Sequence, residues 1–184
     1  MKKTYFTFLA LILVLSLSST HSYAQDKPPA ITDQMVHDFY KRSVDTMYGS
    51  YENYAAYLNS SMADQFQSQV NITTQISGYP PMSQTRTISK SELLNEAYQT
   101  HQSMRGVKMT NTVMEILRDP DGRKVAVKDY TAADGIKIPS PAGSAQATMN
   151  GGGTCHDLLE LNASGTLQII KSFCNLTYTI QMPQ

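Results

Sequence analysis

Two cysteines near the C terminus, Cys155 and Cys174, constrain the fold more than any other feature of this chain. They lie almost symmetrically about the turn-forming sequence Asn-Ala-Ser-Gly at 162–165, which separates two strand-like runs at 154–161 and 166–180. If that turn closes a β-hairpin, the cysteines face each other, and facing residues of antiparallel strands lie about 4.5–5.5 Å apart, within reach of a disulfide. The sequence therefore predicts a disulfide between these two cysteines.

The predicted disulfide also fixes the pairing of the two strands. Asp157 should then lie opposite Ser172, and Leu159 opposite Ile170. A paired cysteine is neither a nucleophile nor a metal ligand. Because neighbouring strand residues point to opposite faces, His156 would not cooperate with the cysteine before it. We therefore expect a structural disulfide here rather than a cysteine–histidine site.

The N terminus has the composition of a secretion signal. Two lysines follow Met1, residues 6–17 are apolar, and Ser22 and Ala24 place small residues at the −3 and −1 positions of a cleavage site. The apolar run is shorter than the roughly 20 residues that a membrane span needs. We expect a signal peptide at 1–24 and a periplasmic or secreted protein, with a retained N-terminal anchor as the alternative.

The rest of the chain has the size of one domain. We expect a flexible lead-in at 25–31, which contains two prolines, and a single domain at 32–184. Loss of Lys2 and Lys3 with the signal would make the neutral formal charge of the chain slightly negative. This balance argues against nucleic acid or an anionic membrane surface as the main partner, and we expect no integral membrane protein after cleavage.

Helical patterns dominate the first half of the domain. Thr32 is a suitable cap for a helix whose apolar stripe is interrupted at Gly49-Ser50, so a break or bend is predicted there. The stripe consists of Met35, Phe39, Met47, Tyr51, Tyr54, Ala55 and Leu58. Residues 67–76 read as a strand that ends before two prolines, and 89–92 form a capping box that opens a helix through Met104.

Strand patterns follow from residue 107 onward. Segments 108–117 and 124–131 flank Asp-Pro-Asp-Gly at 119–122, a strong turn signal. Residues 136–153 are rich in glycine, proline, serine and alanine and are predicted to form a loop before the final hairpin, with an extended stretch at 145–149 as an alternative. The predicted class is therefore α+β, with about four antiparallel strands after the helices.

This order of elements resembles the NTF2-like (SnoaL-like, cystatin-related) cone fold. The resemblance is carried by the helices at 33–58, by Ser-Lys-Ser-Glu-Leu-Leu at 89–94, and by the two long terminal hairpins. It implies a curved antiparallel β-sheet wrapped around N-terminal helices, with dimerisation through the outer sheet face. Such proteins include isomerases, dehydratases and cyclases, ligand-binding proteins, and assembly components of cell-envelope or secretion complexes.

The resemblance places function in a pocket between the concave sheet face and the helices. Strand alternation turns Asp129 toward that pocket, and the face that carries the disulfide also carries Asp157 and Tyr178. His101 lies on the apolar face of the third helix. A carboxylate beside histidine could act as a general base, and a tyrosine hydroxyl could polarise a carbonyl. The alternative is structural: His101 hydrogen-bonded at the pocket rim, and the two aspartates at strand ends or in salt bridges near Lys128 or Lys171.

No cofactor or metal site is predicted. The methionines are scattered along the chain, and the glycine run 151–153 precedes a strand, so we expect a flexible hinge or a bulge rather than a phosphate loop. Because the catalytic signal is weak, the favoured function is a non-catalytic module that binds a small apolar ligand or a protein partner. The alternatives are a small isomerase-, dehydratase- or cyclase-type enzyme with a histidine–aspartate pair, and an assembly component.

Overall fold

The fold consists of helices packed on one face of a single sheet. A computed structural model describes residues 30–139 and 146–182, and these ranges contain three helices and six strands. The helices are α1 (Asp33–Met47), α2 (Tyr51–Ser61) and α3 (Lys90–Ser103). The strands are β1 (Met62–Ile76), β2 (Met82–Ser89), β3 (Lys108–Arg118), β4 (Lys124–Pro139), β5 (Gln146–Leu161) and β6 (Leu167–Gln181). The expected signal peptide lies outside the described residues. Within them, no helix is long and apolar enough to cross a membrane.

Each helix begins at a capping side chain that the sequence contains. Thr32 Oγ1 accepts a hydrogen bond from the backbone of Met35, and Ser50 caps α2 in the same way after the predicted break. At α3, Ser89 and Glu92 form the complete capping box, in which each side chain bonds the other residue's backbone. Local hydrogen bonding thus sets where the helices start.

The strands form one sheet in the order β2-β1-β6-β5-β4-β3. Neighbouring strands are antiparallel except β1 and β6, which run parallel at the centre of the sheet. The sheet is curved and unclosed, and its concave face holds the helices. This is the cone architecture that the resemblance implied, so the predicted α+β fold class is confirmed.

The strands of the sheet are longer and more numerous than the sequence pattern predicted. Strand β1 begins at Met62, and the polar segment Met82–Ser89 forms an edge strand that was not predicted. Most of 136–153, expected to be a loop, belongs to β4 and β5; residues 140–145 lie outside the described ranges. These segments lack a regular apolar pattern, and pairing with neighbouring strands makes them extended.

The glycine run in β5 is a point of close backbone approach, not a flexible hinge. A Cβ atom at Gly151 or Gly153 would overlap backbone atoms of β6, and one at Gly152 would overlap the carbonyl oxygen of Thr131 in β4. Gly151 also has a φ of 153°. The absence of side chains therefore lets β5 pass tightly between its two neighbours.

The terminal hairpin has the predicted disulfide. Cys155 and Cys174 are bonded, with Cα atoms 4.1 Å apart, and Asp157 pairs with Ser172 as expected. The next expected pair was wrong: Leu159 lies opposite Ile169, because the register shifts by one residue between Leu158 and Leu159. The bulge leaves the residues nearer the disulfide in the predicted register.

The main core lies between the helices and the concave sheet face. It contains aromatic residues from α1, α2 and β1, packed on aliphatic residues of the central strands. These include Phe39, Tyr40, Tyr54, Tyr57, Phe66, Val125, Val127, Leu159 and Ile169. The cone interior is thus filled largely by aromatic side chains.

The start of the domain is held more firmly than the sequence indicated. Ile31, placed in the flexible lead-in by sequence, is buried, and its backbone nitrogen donates to the Gly122 carbonyl oxygen at 2.7 Å. Arg118 Nε donates in turn to the Ile31 carbonyl oxygen at 3.2 Å. The packed domain therefore includes Ile31.

Candidate functional site

Two buried aspartates lie side by side on the concave face of the sheet. Asp129 of β4 is 2% exposed and Asp157 of β5 is 6% exposed. Asp157 pairs with Val127, two residues before Asp129, so the two carboxyl-bearing residues are diagonal neighbours, about 7–8 Å apart at their Cα atoms. The predicted inward orientation of both residues is thereby confirmed by their burial.

Each aspartate accepts a hydrogen bond from an uncharged side chain of another element. Tyr40 of α1 donates its hydroxyl to Asp157 Oδ2 at 2.7 Å, and Asn111 of β3 donates its amide to Asp129 Oδ2 at 2.5 Å. Neither aspartate forms a salt bridge within the described residues. The structural alternative of ion-paired aspartates is therefore wrong for this pair, which uses a hydroxyl and an amide instead.

The remaining oxygens of this cluster have no hydrogen-bond partner among the described residues. They are Oδ1 of Asp129, Oδ1 of Asp157 and Oδ1 of Asn111, and all three are buried. An unpaired buried polar atom costs about 1–3 kcal/mol, and more when it is charged. The cluster is therefore a costly arrangement, of a kind that occurs more often in functional sites than in inert cores.

Burial and mutual repulsion change the acidity of the pair. Burial, followed by the negative charge of Asp157, raises the pKa of Asp129 from 3.8 to about 7, although the Asn111 hydrogen bond opposes the change. Burial also raises the pKa of Asp157, while Ser172 and Tyr40 oppose that change. The pKa of the Tyr40 hydroxyl is raised by burial and by both carboxylates, so Tyr40 remains a donor.

A groove leads from the surface to this cluster. It has a volume of about 490 Å³ and lies between α1 and the edge strand β3. Tyr40, Val44 and Val113 provide apolar or aromatic wall, and Asn111 lines the groove as well as binding Asp129. The polar lining residues are Gln34, His37, Asp38, Lys41, Asp45 and Thr110. Two hydrogen bonds, from Tyr40 to Asp157 and from Asn111 to Asp129, thus link the groove wall to the buried carboxyl pair.

The other two candidate residues lie elsewhere. His101 of α3 is buried, and its Nε2 donates to the Gly49 carbonyl oxygen at 3.1 Å, while its ring stacks on Tyr54 with centroids 5.7 Å apart. Tyr178 packs against a second apolar cluster that contains Met104, Val107, Ala133 and Ile136. The predicted set of four does not converge: the structure brings together Asp129 and Asp157 only.

The two donors of the site were not predicted from the sequence. Tyr40 lies four residues after Val36, on the same helix face, so its burial could have been recognised from the pattern. Asn111 occupies an inward position of β3, diagonal to Asp129, but a single sequence does not show which strands are neighbours. Within the described ranges, no group of three His, Cys, Asp or Glu residues is arranged to hold a metal ion.

Several solved structures align with this chain. A conserved protein from Planctomyces limnophilus aligns with 14% identity and a TM-score of 0.52, covering 79% of this chain and 95% of that one. An NTF2-like protein from Cytophaga hutchinsonii has 12% identity and a TM-score of 0.48, with 79% and 98% covered. A ketosteroid isomerase-like protein from Erwinia carotovora has 12% identity and a TM-score of 0.45, with 83% and 100% covered.

At these identities the likeness concerns the fold alone. No protein-family model matches the sequence, and no curated protein matches it significantly. The cone architecture is the observed fold, and the buried carboxyl pair beside a groove is a candidate site within it.

Proposed function

We propose that this protein is an exported, non-catalytic ligand-binding module whose binding site is the groove between α1 and β3. The observation that carries the proposal is the groove itself, because its apolar walls end at hydrogen-bonding groups that lead to a buried polar cluster. Small-molecule sites generally combine apolar walls with a few well-placed polar groups.

Binding is favoured over catalysis because the predicted catalytic side chains do not meet. Histidine and tyrosine candidates lie in other parts of the core, and the cone interior is filled by aromatic side chains. The two carboxyl groups lie behind Tyr40 and Asn111 rather than in the groove lining. A bound molecule would therefore contact the hydroxyl or amide first.

The binding proposal is tested by native mass spectrometry followed by NMR titration. The full-length gene is expressed with its own N terminus and the protein is recovered from the periplasm, where cleavage after Ala24 supports export. A co-purified small molecule, or amide shifts at Val44 and Val113 on titration with short apolar compounds, supports binding in the groove. Saturable shifts confined to the outer sheet face would contradict the proposed site.

A proton-transfer enzyme is the second candidate, and one observation favours it. The pKa of Asp129, at about 7, suits a general acid or base at neutral pH. An isomerisation assay with carbonyl compounds that have acidic α-hydrogens would test this candidate. Turnover that is lost in Asp129→Asn but kept in Asp134→Asn, an exposed position on the same strand, would favour catalysis.

A further inference from the structure

We propose that the ligand of this groove is a primary amine with an apolar body, whose ammonium group binds the Asn111–Asp129–Asp157 cluster. This inference rests on the proposed binding function and names the chemical class of ligand. It follows from three properties of the site: the charge of the groove, the number of free acceptor atoms in the cluster, and the shape of the walls.

The groove lining is negatively charged. It contains the carboxylates of Asp38 and Asp45, and its lysine, Lys41, is already bound to Asp45 at 2.5 Å. Asp38 receives a neutral hydrogen bond from Gln34 at 2.8 Å. Counted over Asp38, Asp45 and Lys41, the lining has one negative charge in excess, and the buried pair lies behind it. A cationic ligand is the electrostatic complement of such a groove.

The cluster has acceptor atoms that Tyr40 and Asn111 do not satisfy, and the Ser172 hydroxyl, opposite Asp157, is a further donor nearby. Asp129, Asp157 and Asn111 each leave Oδ1 without a partner, and all three belong to inward positions of adjacent strands. An ammonium group has three N–H donors and no acceptor, so its donor number matches the three free oxygens. A single proton shared by the two carboxyl groups would supply only one donor to these three oxygens.

The walls favour an organic cation over a metal ion. Calcium takes six to eight oxygen ligands and magnesium requires octahedral coordination, whereas the cluster has three free oxygens. Tyr40, Val44 and Val113 supply hydrocarbon and ring surface that coordinates no metal but packs on an alkyl or aryl chain. The Tyr40 ring is also suited to attract a cation near its face.

Asn111 connects the groove with the buried carboxyl pair. Its side chain lines the groove and also donates to Asp129. On this proposal the Asn111 amide turns so that its Oδ1 faces the incoming ammonium, which then replaces the amide as donor to Asp129.

The test compares three probes of equal chain length: hexylamine, 1-hexanol and hexanoate. Each is titrated at pH 7 into the full chain produced with its own signal, and binding is followed by NMR shifts at Val44 and Val113 and by calorimetry. We expect hexylamine to bind at least about tenfold more tightly than hexanol, because charge-assisted hydrogen bonds are roughly twice as strong as neutral ones. Hexanoate should bind more weakly than either.

Variants of three aspartates test where the ammonium group binds. Asp129→Asn should weaken hexylamine by about tenfold and leave hexanol unchanged, since it removes a charged acceptor and keeps the side-chain shape. Asp38→Asn, at the exposed rim, should weaken hexylamine by a smaller factor, and it tests the electrostatic argument even if the buried variant folds poorly. Asp134→Asn, exposed and outside the groove lining, should change nothing.

The outcomes separate the inference from the proposed function. Equal affinities for hexylamine and hexanol would overturn the amine inference and leave groove binding intact. If no probe shifts the groove residues, the proposed function itself fails. If calcium, magnesium or sodium chloride alone reproduces the hexylamine shifts at millimolar concentration, the site binds metal cations and the inference is overturned.

Discussion

Replacement of Asp129 by asparagine should change how stability depends on pH. In the folded protein, burial and the charge of Asp157 raise the pKa of Asp129 from 3.8 to about 7. Between about pH 4 and pH 7 the folded state therefore holds a proton that the unfolded state has released. The free energy of unfolding accordingly falls as pH rises through this window, and the loss is complete above pH 7.

The size of this effect follows from the shift. One pKa unit corresponds to about 1.4 kcal/mol, so a rise from 3.8 to about 7 amounts to about 4 kcal/mol of stability lost between pH 4 and pH 8. Because Tyr40 and Asp157 are coupled to this carboxyl, the titration belongs to the pair rather than to one residue. The asparagine side chain of the variant carries no charge, so the variant should be more stable than the wild type at pH 8 and similar to it near pH 4.

Urea unfolding at pH 4.5, 6 and 8 measures this difference. The decisive quantity is the unfolding free energy of the wild type minus that of Asp129→Asn, because the carboxyl groups that are not coupled to Asp129 cancel in it. Asp134→Asn, an exposed position on the same strand, serves as the control and should keep the wild-type pH dependence. A difference that does not change between pH 4.5 and pH 8 would refute the argument from burial.

Three other perturbations test separate parts of the fold. Tyr40→Phe leaves Asp157 Oδ2 without its donor and should lower the unfolding free energy by about 1–3 kcal/mol, measured by urea titration. Reduction of the disulfide, which closes a separation of 19 residues, should cost about 3 kcal/mol by the chain-entropy model, measured with and without dithiothreitol. Gly152→Ala puts a Cβ onto the Thr131 carbonyl oxygen and should cost about 4 kcal/mol or more, measured as a loss of soluble folded protein or of melting temperature.

Each of these three perturbations has a matched control or an outcome that would contradict the expectation. Tyr98→Phe removes a hydroxyl from an exposed ring and should be neutral; equal losses for both tyrosine variants would contradict the role given to the Tyr40 bond. Unchanged stability after complete reduction would show that the hairpin needs no covalent link. Gly49→Ala adds a Cβ at ordinary contact distance, 3.4 Å from the Thr46 carbonyl oxygen, so a loss as large as that of Gly152→Ala would contradict the close-approach argument.

Local signals account for the parts of the fold that the sequence predicted correctly. Caps such as Thr32 and Ser89 act within one turn of chain, and the Cys155–Cys174 pairing follows from a four-residue turn. Strand β2 was missed, and the start of β5 was predicted only as an extended stretch within a loop, because both are exposed or built of small residues and hence lack an apolar alternation. Pairing with distant strands determines their conformation.

The candidate site, like the fold, could be predicted from the sequence only in part. The inward orientation of Asp129 and Asp157 follows from alternation along single strands, which a sequence shows directly. Their donors come from other elements, since Tyr40 lies 117 residues before Asp157 and Asn111 belongs to the neighbouring strand. His101 was assigned to the site because it lies on an apolar helix face, but that face meets α2 and Tyr54 rather than the carboxyl pair.

The parallel pairing of β1 with β6 has a consequence for the order in which the sheet assembles. Strands β3 to β6 pair through successive hairpins, and β1 with β2 forms another, but the two groups join only where β1 meets β6. Strand β6, which ends at Gln181, follows all the other strands in sequence, so the two groups cannot join until β6 has formed. Contacts between such distant segments form slowly. We therefore expect the pairing of β1 with β6 to be a late step in the folding of this sheet.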